Sequence, residues 1–162
     1  METIGFTPED ILDLAIQMEK NGAEFYQRAS RIAEAPGQRL MLEGLAAMER
    51  GHAATLVELK ERIVDVLGTG DAEVDAVVAE FLSSWLSGVV FDKDAKDLQL
   101  AQSATVADIL GRAILLEKET VCFYAGLRAY VADTAAEEVV DRIIGEELRH
   151  VTDLGKAMQD LR

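Results

Sequence analysis

Residues 117–124 read E-K-E-T-V-C-F-Y, and residues 19–26, 98 positions earlier, read E-K-N-G-A-E-F-Y. The match extends outward. Thr7–Tyr26 and Thr105–Tyr124 align without a gap, and ten of the twenty positions are identical. The same offset pairs Glu49 with Glu147 and His52 with His150, the only two histidines of the 162-residue chain, each with a Glu three positions before it. Self-similarity at a fixed offset marks a duplicated structural unit. The unit here is a helical hairpin. The chain is therefore expected to be one all-α domain, 1–162. Two repeated hairpins, about residues 7–67 and 105–162, form a four-helix bundle, and a long crossover, about 68–104, joins them.

Thr7-Pro8-Glu9-Asp10 has the signature of a helix start: an N-cap Thr, Pro at the first helical position, and acids that complement the unpaired N–H groups of the first turn. Ile11, Leu14, Ala15, Met18, Gly22, Phe25, Ala29 and Ile32 follow at helical spacing, predicting a helix to about Glu34, ended by Ala35-Pro36-Gly37. A second helix, to about Leu67, presents Leu42, Leu45, Ala46, Glu49, His52, Ala53, Leu56, Leu59 and Ile63 on one face. The short connection makes the two antiparallel neighbours. The crossover has no repeat counterpart. Val74–Leu86 has helical spacing and reads as a short accessory helix, and 88–104 reads as irregular. Thr105-x-x-Asp108 and Thr134-x-x-Glu137 read as capping boxes opening the third and fourth helices. The third helix buries Ile109, Ala113, Leu116, Thr120 and Phe123. Cys122 reads as a small core residue, and Met18, Met41, Met48 and Met158 as core rather than haem ligands.

With a net charge of −14, the surface repels nucleic acid and anionic membranes, so neither is an expected partner. No apolar run reaches the length of a membrane span. One cysteine excludes an internal disulfide and a cysteine-based metal cluster. The simplest expectation is a cytoplasmic protein. The Val74–Phe91 segment, with Phe81, Trp85, Leu86 and Phe91, carries more apolar surface than a linker needs, and a homodimer using it is expected.

Glu-x-x-His places a carboxylate and an imidazole on one helix face, one turn apart. That donor pair suits iron, manganese or zinc. Glu19 sits among Ala15, Ile16, Met18 and Phe25, and Glu117 among Ala113, Ile114, Leu116 and Phe123, on faces that must be buried. Unpartnered buried carboxylates are costly, several kcal/mol each in order of magnitude. Two divalent ions neutralise Glu19, Glu49, Glu117 and Glu147, and His52 and His150 complete the set as neutral ligands. Tyr26 and Tyr124 lie two turns beyond Glu19 and Glu117 on the same faces. They either hydrogen-bond ligand carboxylates and act near the metals or pack as buried aromatics whose hydroxyls take any acceptor. Gly22 either leaves space beside the metals or allows close helix approach.

The pattern A-I-x-x-E-K-x-x-x-x-F-Y, then E-x-x-H, then both again, resembles the rubrerythrin branch of the ferritin-like superfamily. The resemblance implies a ferritin-like bundle with two metal ions, iron first and manganese or zinc as alternatives. It implies Glu19, Glu49, His52, Glu117, Glu147 and His150 as ligands. It also implies an oxidoreductase reducing hydrogen peroxide or dioxygen. Two departures stand out. Rubrerythrins usually carry a rubredoxin domain with four cysteines, which is absent from these 162 residues, so electrons are expected from a separate donor protein. They also carry an extra Glu one turn after the third-helix ligand, where this chain has Thr120, with Glu119 beside it. Two rival readings are ferrous-iron oxidation and handling, and a structural bundle whose metals only neutralise the buried Glu.

Overall fold

The computed structural model describes residues 8–67, 76–86, 104–131 and 134–161. The expected Thr7 cap, and nearly all of the stretch expected to be irregular after Gly88, lie outside them. The described residues form five helices in order: α1 (Pro8–Ile32), α2 (Pro36–Leu67), α3 (Ala76–Leu86), α4 (Val106–Tyr130) and α5 (Thr134–Gln159). Among the described residues there is no strand.

Pro8 opens α1 with Glu9 and Asp10 in its first turn. The helix stops at Ile32, two residues short of the expected end. There Arg39 donates to the Ala33 carbonyl at 3.2 Å, and Pro36 starts α2 at once. The capping box at α4 is complete: Asp108 N–H donates to Thr105 Oγ1, and the Asp108 carboxylate accepts from the Thr105 backbone. α5 begins at Thr134, and the residues before it, 132 and 133, lie outside the described ones; Glu137 pairs with Arg128 of α4 at 3.0 Å.

α1 packs along α2 and α4 along α5, and the hairpins meet through α1–α4 and α2–α5. The buried faces are those expected, through Leu59 on α2, except that Ile32, Leu116 and Thr120 are only half-buried; the Ile63 side chain lies outside the described residues. Cys122 is a correction. It is exposed on α4, because Phe123 and Tyr124 beside it take the inward positions, each fully buried. Met48 is a second correction, 41 % exposed.

The core forms two apolar plugs. One joins Ile11–Met18 of α1, Leu56 and Leu59 of α2, Phe123 and Leu127 of α4, and Ala136, Val140 and Ile143 of α5. The other joins Phe25, Tyr26 and Ala29 with Leu42, Leu45, Ile109, Ala113 and Leu154. On every bundle helix the Glu and His positions of the repeat fall between the plugs.

α3 lies against α4 and α1. A Cβ on Gly126 would come within 2.5 Å of Phe81 Cε1, so the missing side chain lets the Phe81 ring rest on the α4 backbone. Gly126→Ala should therefore overpack this contact and lower stability by about 1–3 kcal/mol. Phe81→Leu in the same chain should return part of that loss, as denaturant midpoints of the two single variants and the double variant will show. Trp85, expected to offer apolar surface to a second copy, is instead 2 % exposed, its ring centroid 5.3 Å from that of Phe123. The accessory helix spends its aromatic surface on its own bundle. Phe91 lies outside the described residues.

Candidate metal centre

Among the described residues eight polar ones are buried, and six of them are Glu19, Glu49, His52, Glu117, Glu147 and His150. They converge on one place. The ligand-capable atoms of Glu19, Glu49, His52 and Glu147 all lie within 4.8 Å of one another, as do those of Glu49, Glu117, Glu147 and His150. Glu49 and Glu147 belong to both groups. The repeat is thus a two-fold in space: it exchanges Glu19 with Glu117 and His52 with His150 across a shared pair of carboxylates.

Glu147 is the pivot. Its Oε1 lies 2.8 Å from His52 Nδ1 and its Oε2 2.8 Å from His150 Nδ1. Glu49 spans the same pair at 3.8 and 3.5 Å. Glu19 Oε2 is 3.4 Å from His52 Nδ1, and Glu117 Oε2 is 3.6 Å from His150 Nδ1. The imidazoles stack, centroids 5.9 Å apart.

The tyrosines cross the two-fold. Tyr26 of α1 donates to Glu117 Oε1 on α4, and Tyr124 of α4 donates to Glu19 Oε1 on α1. Burial, and then the facing carboxylates, raise both phenols well above their usual pKa, so each keeps its proton and stays a donor. A Cβ on Gly22 would sit 3.4 Å from Glu49 Cγ, so glycine leaves a methyl-sized space beside that carboxylate. Thr120 turns its hydroxyl back to the Leu116 carbonyl, 3.0 Å away.

The donor set fits metal ions on two counts. Glu19 Oε2, Glu49 Oε1, Glu147 Oε1 and His52 Nδ1 are buried without a hydrogen bond. His52 Nδ1 and Glu147 Oε1 are close enough for one but not aligned as one. Atoms of this kind are costly unless something else engages them. Second, four carboxylates and two imidazoles provide the O and N ligands of a borderline divalent metal.

Without metal, protons hold the cluster together. Burial, then Glu19, raises the Glu49 pKa well above the carboxylate range. Burial raises Glu117 to about 7, against the pull of His150. Burial alone would lower both histidines. Glu147 and Glu19 outweigh it at His52 and hold that imidazole far above its usual value. Glu117 and Glu147 hold His150 at about 9. Burial would raise Glu147, but His150 and His52 outweigh it and keep this carboxylate well below its usual range.

These directions fix a pH dependence. The folded metal-free chain keeps a proton on Glu117 up to about 7, against 4.5 for the free group, so stability falls as pH rises across that span. The His150 contribution is fully present below 6.5 and is lost as pH rises through about 9. Both act in the same sense. Metal binding must displace these protons, so affinity rises over the same window. Paired melts should show the metal-induced increase in Tm widening from pH 6 to pH 9.

One participant escaped the repeat pattern. His52 Nε2 lies 2.7 Å from Glu146 Oε2. Glu146 precedes Glu147 on α5, and its repeat counterpart, 98 positions earlier, is Met48, so a search for duplicated acids passes over it. The visible signal was the doubled acid of E-E-L-R-H, residues 146–150. Met48, Gly51, His52, Thr55, Arg142 and Glu146 line an opening of about 370 Å³ between α2 and α5 at this edge of the centre.

The rubrerythrin family model matches residues 10–158. Among solved structures, the chain is similar to a protein from Thermotoga maritima described as a ferritin-like diiron-carboxylate protein. The TM-score is 0.72 and the identity 22 %, with 97 % of each chain covered. No curated protein matches the chain. None of the described helices is long and apolar enough to cross a membrane.

Proposed function

Because the chain belongs to the rubrerythrin family, we propose that it holds two metal ions, iron first, and reduces hydrogen peroxide or dioxygen with electrons from a separate donor protein. One observation carries this reading: two overlapping groups of buried ligand atoms that share Glu49 and Glu147. Glu19 and His52 would hold one ion, Glu117 and His150 the other, and Glu49 and Glu147 would span both. When bound, a pair of ferrous ions would supply the two electrons that reduce hydrogen peroxide to water or dioxygen to peroxide, and the donor protein would restore them. The chain does the rest. Tyr26 and Tyr124 fix the outer carboxylates by donating to them, which holds each ligand at the angle binding needs. The apolar plugs above and below keep bulk water from the polar layer. Gly22 leaves Glu49 room to shift.

Stopped-flow oxidation of the reduced, iron-loaded protein tests the reading. Hydrogen peroxide should oxidise it faster than dioxygen does, with iron retained on the chain. Faster reaction with dioxygen and release of ferric iron would make it an iron-handling oxidase instead. A metal-loaded protein inert to both oxidants would leave the structural bundle.

A further inference from the structure

We propose that the two halves of this centre are inequivalent, with Glu146 the positioning residue that makes the His52 half the tighter metal position and the His150 half the weaker. The inference rests on the dinuclear reading above, and it concerns what surrounds the ligands rather than the ligands themselves.

The first observation is at His52. A carboxylate only accepts, so the 2.7 Å contact with Glu146 Oε2 places the His52 proton on Nε2. Nδ1 faces Glu147, Glu19 and Glu49, all within 3.8 Å, and it is the nitrogen whose proton a metal ion would displace. Such a contact fixes the ring and its tautomer and makes the imidazole a better ligand.

The second observation is at His150. Its Nδ1 faces Glu147, Glu49 and Glu117 in the same way. Its Nε2 is buried and has no hydrogen-bond partner. At the position that the repeat relates to Glu146, 98 residues earlier, stands Met48. A thioether is at best a weak acceptor. The ring of His150 therefore lacks the hydrogen bond that orients its counterpart.

The third observation places the difference within reach of solvent. The opening between α2 and α5 includes His52 and Glu146 but not His150. On the His52 side it is bordered by Gly51, whose repeat counterpart beside His150 is Arg149. An ion entering here meets the better-prepared imidazole first.

Cobalt(II) titration of the metal-free protein, followed by its visible absorption and by calorimetry, tests the proposal. The wild type should bind two ions in separate steps. Mutual repulsion of the ions alone would also separate the steps, so the variants decide. Glu146→Met should weaken the first step about 10–100-fold, as loss of a supporting hydrogen bond to a metal-ligating histidine does. Glu146→Gln, which still accepts a hydrogen bond, should recover part of it. Met48→Glu should tighten the second step and change its cobalt spectrum. Both side chains are partly exposed, at 26 % and 41 %, so folding should survive each change, as melting will confirm. Two bound ions with steps that none of these variants moves would overturn the inequivalence and leave the dinuclear reading standing. A wild type that binds no cobalt would overturn both.

Discussion

Glu147→Gln should abolish both metal positions at once and also destabilise the metal-free protein. The carboxylate has one oxygen 2.8 Å from each histidine Nδ1, and it stays ionised because both imidazoles hold it so. An amide keeps the size and loses the charge. Breaking a buried ion pair by removing one partner costs about 3–5 kcal/mol, since the other charge is left uncompensated. Here both imidazolium groups use this carboxylate, beside Glu19 at His52 and Glu117 at His150, so a loss within that range is expected at neutral pH. Chemical denaturation of the metal-free variant measures the first effect and metal analysis after reconstitution the second. Glu24→Gln serves as control, being exposed on α1 and paired with the exposed Arg28; neither measurement should change. A Glu147→Gln protein that keeps one ion per chain would show that Glu147 does not serve both halves.

Glu49→Gln with Glu117→Gln should have the opposite effect on the metal-free protein. Both carboxyls are pushed up by burial, Glu117 to about 7, so above neutral pH the fold must hold charge in a site that favours the protonated form. An amide resembles that form. For Glu117 alone the relief above pH 7 is on the order of 3 kcal/mol. The double variant should therefore melt above metal-free wild type at pH 8, while metal should no longer raise its Tm. A double variant less stable than metal-free wild type at that pH would show that repulsion between buried carboxylates is not what metal relieves.

The fold was legible because duplication wrote it twice. A gap-free offset fixed the hairpins, the faces of α1 and α4, and the pairing of Glu49 with Glu147. The buried carboxylates were legible for a related reason: Glu19 and Glu117 each stand in an otherwise apolar stripe, and burial of the stripe carries them inward. What the sequence hid is where the repeat breaks. Glu146 has Met48 as its counterpart, so symmetry concealed the acid that touches His52. Cys122 and Met48 have core-like chemistry but fall on outward positions, which depends on how each helix rotates against its partner. How Trp85 packs was not legible, because α3 has no counterpart to show its docking. Gly126, which receives Phe81, carries no signal until the two helices are together.

The most direct measurement is metal content per chain after anaerobic reconstitution of the metal-free protein with ferrous ion, read beside the melting temperature. On the proposed dinuclear reading, the two overlapping ligand groups that share Glu49 and Glu147 should take two ions per chain and give a higher Tm than the metal-free form. A reconstituted protein that retains no stoichiometric iron, and melts where the metal-free form does, would contradict the account at its centre.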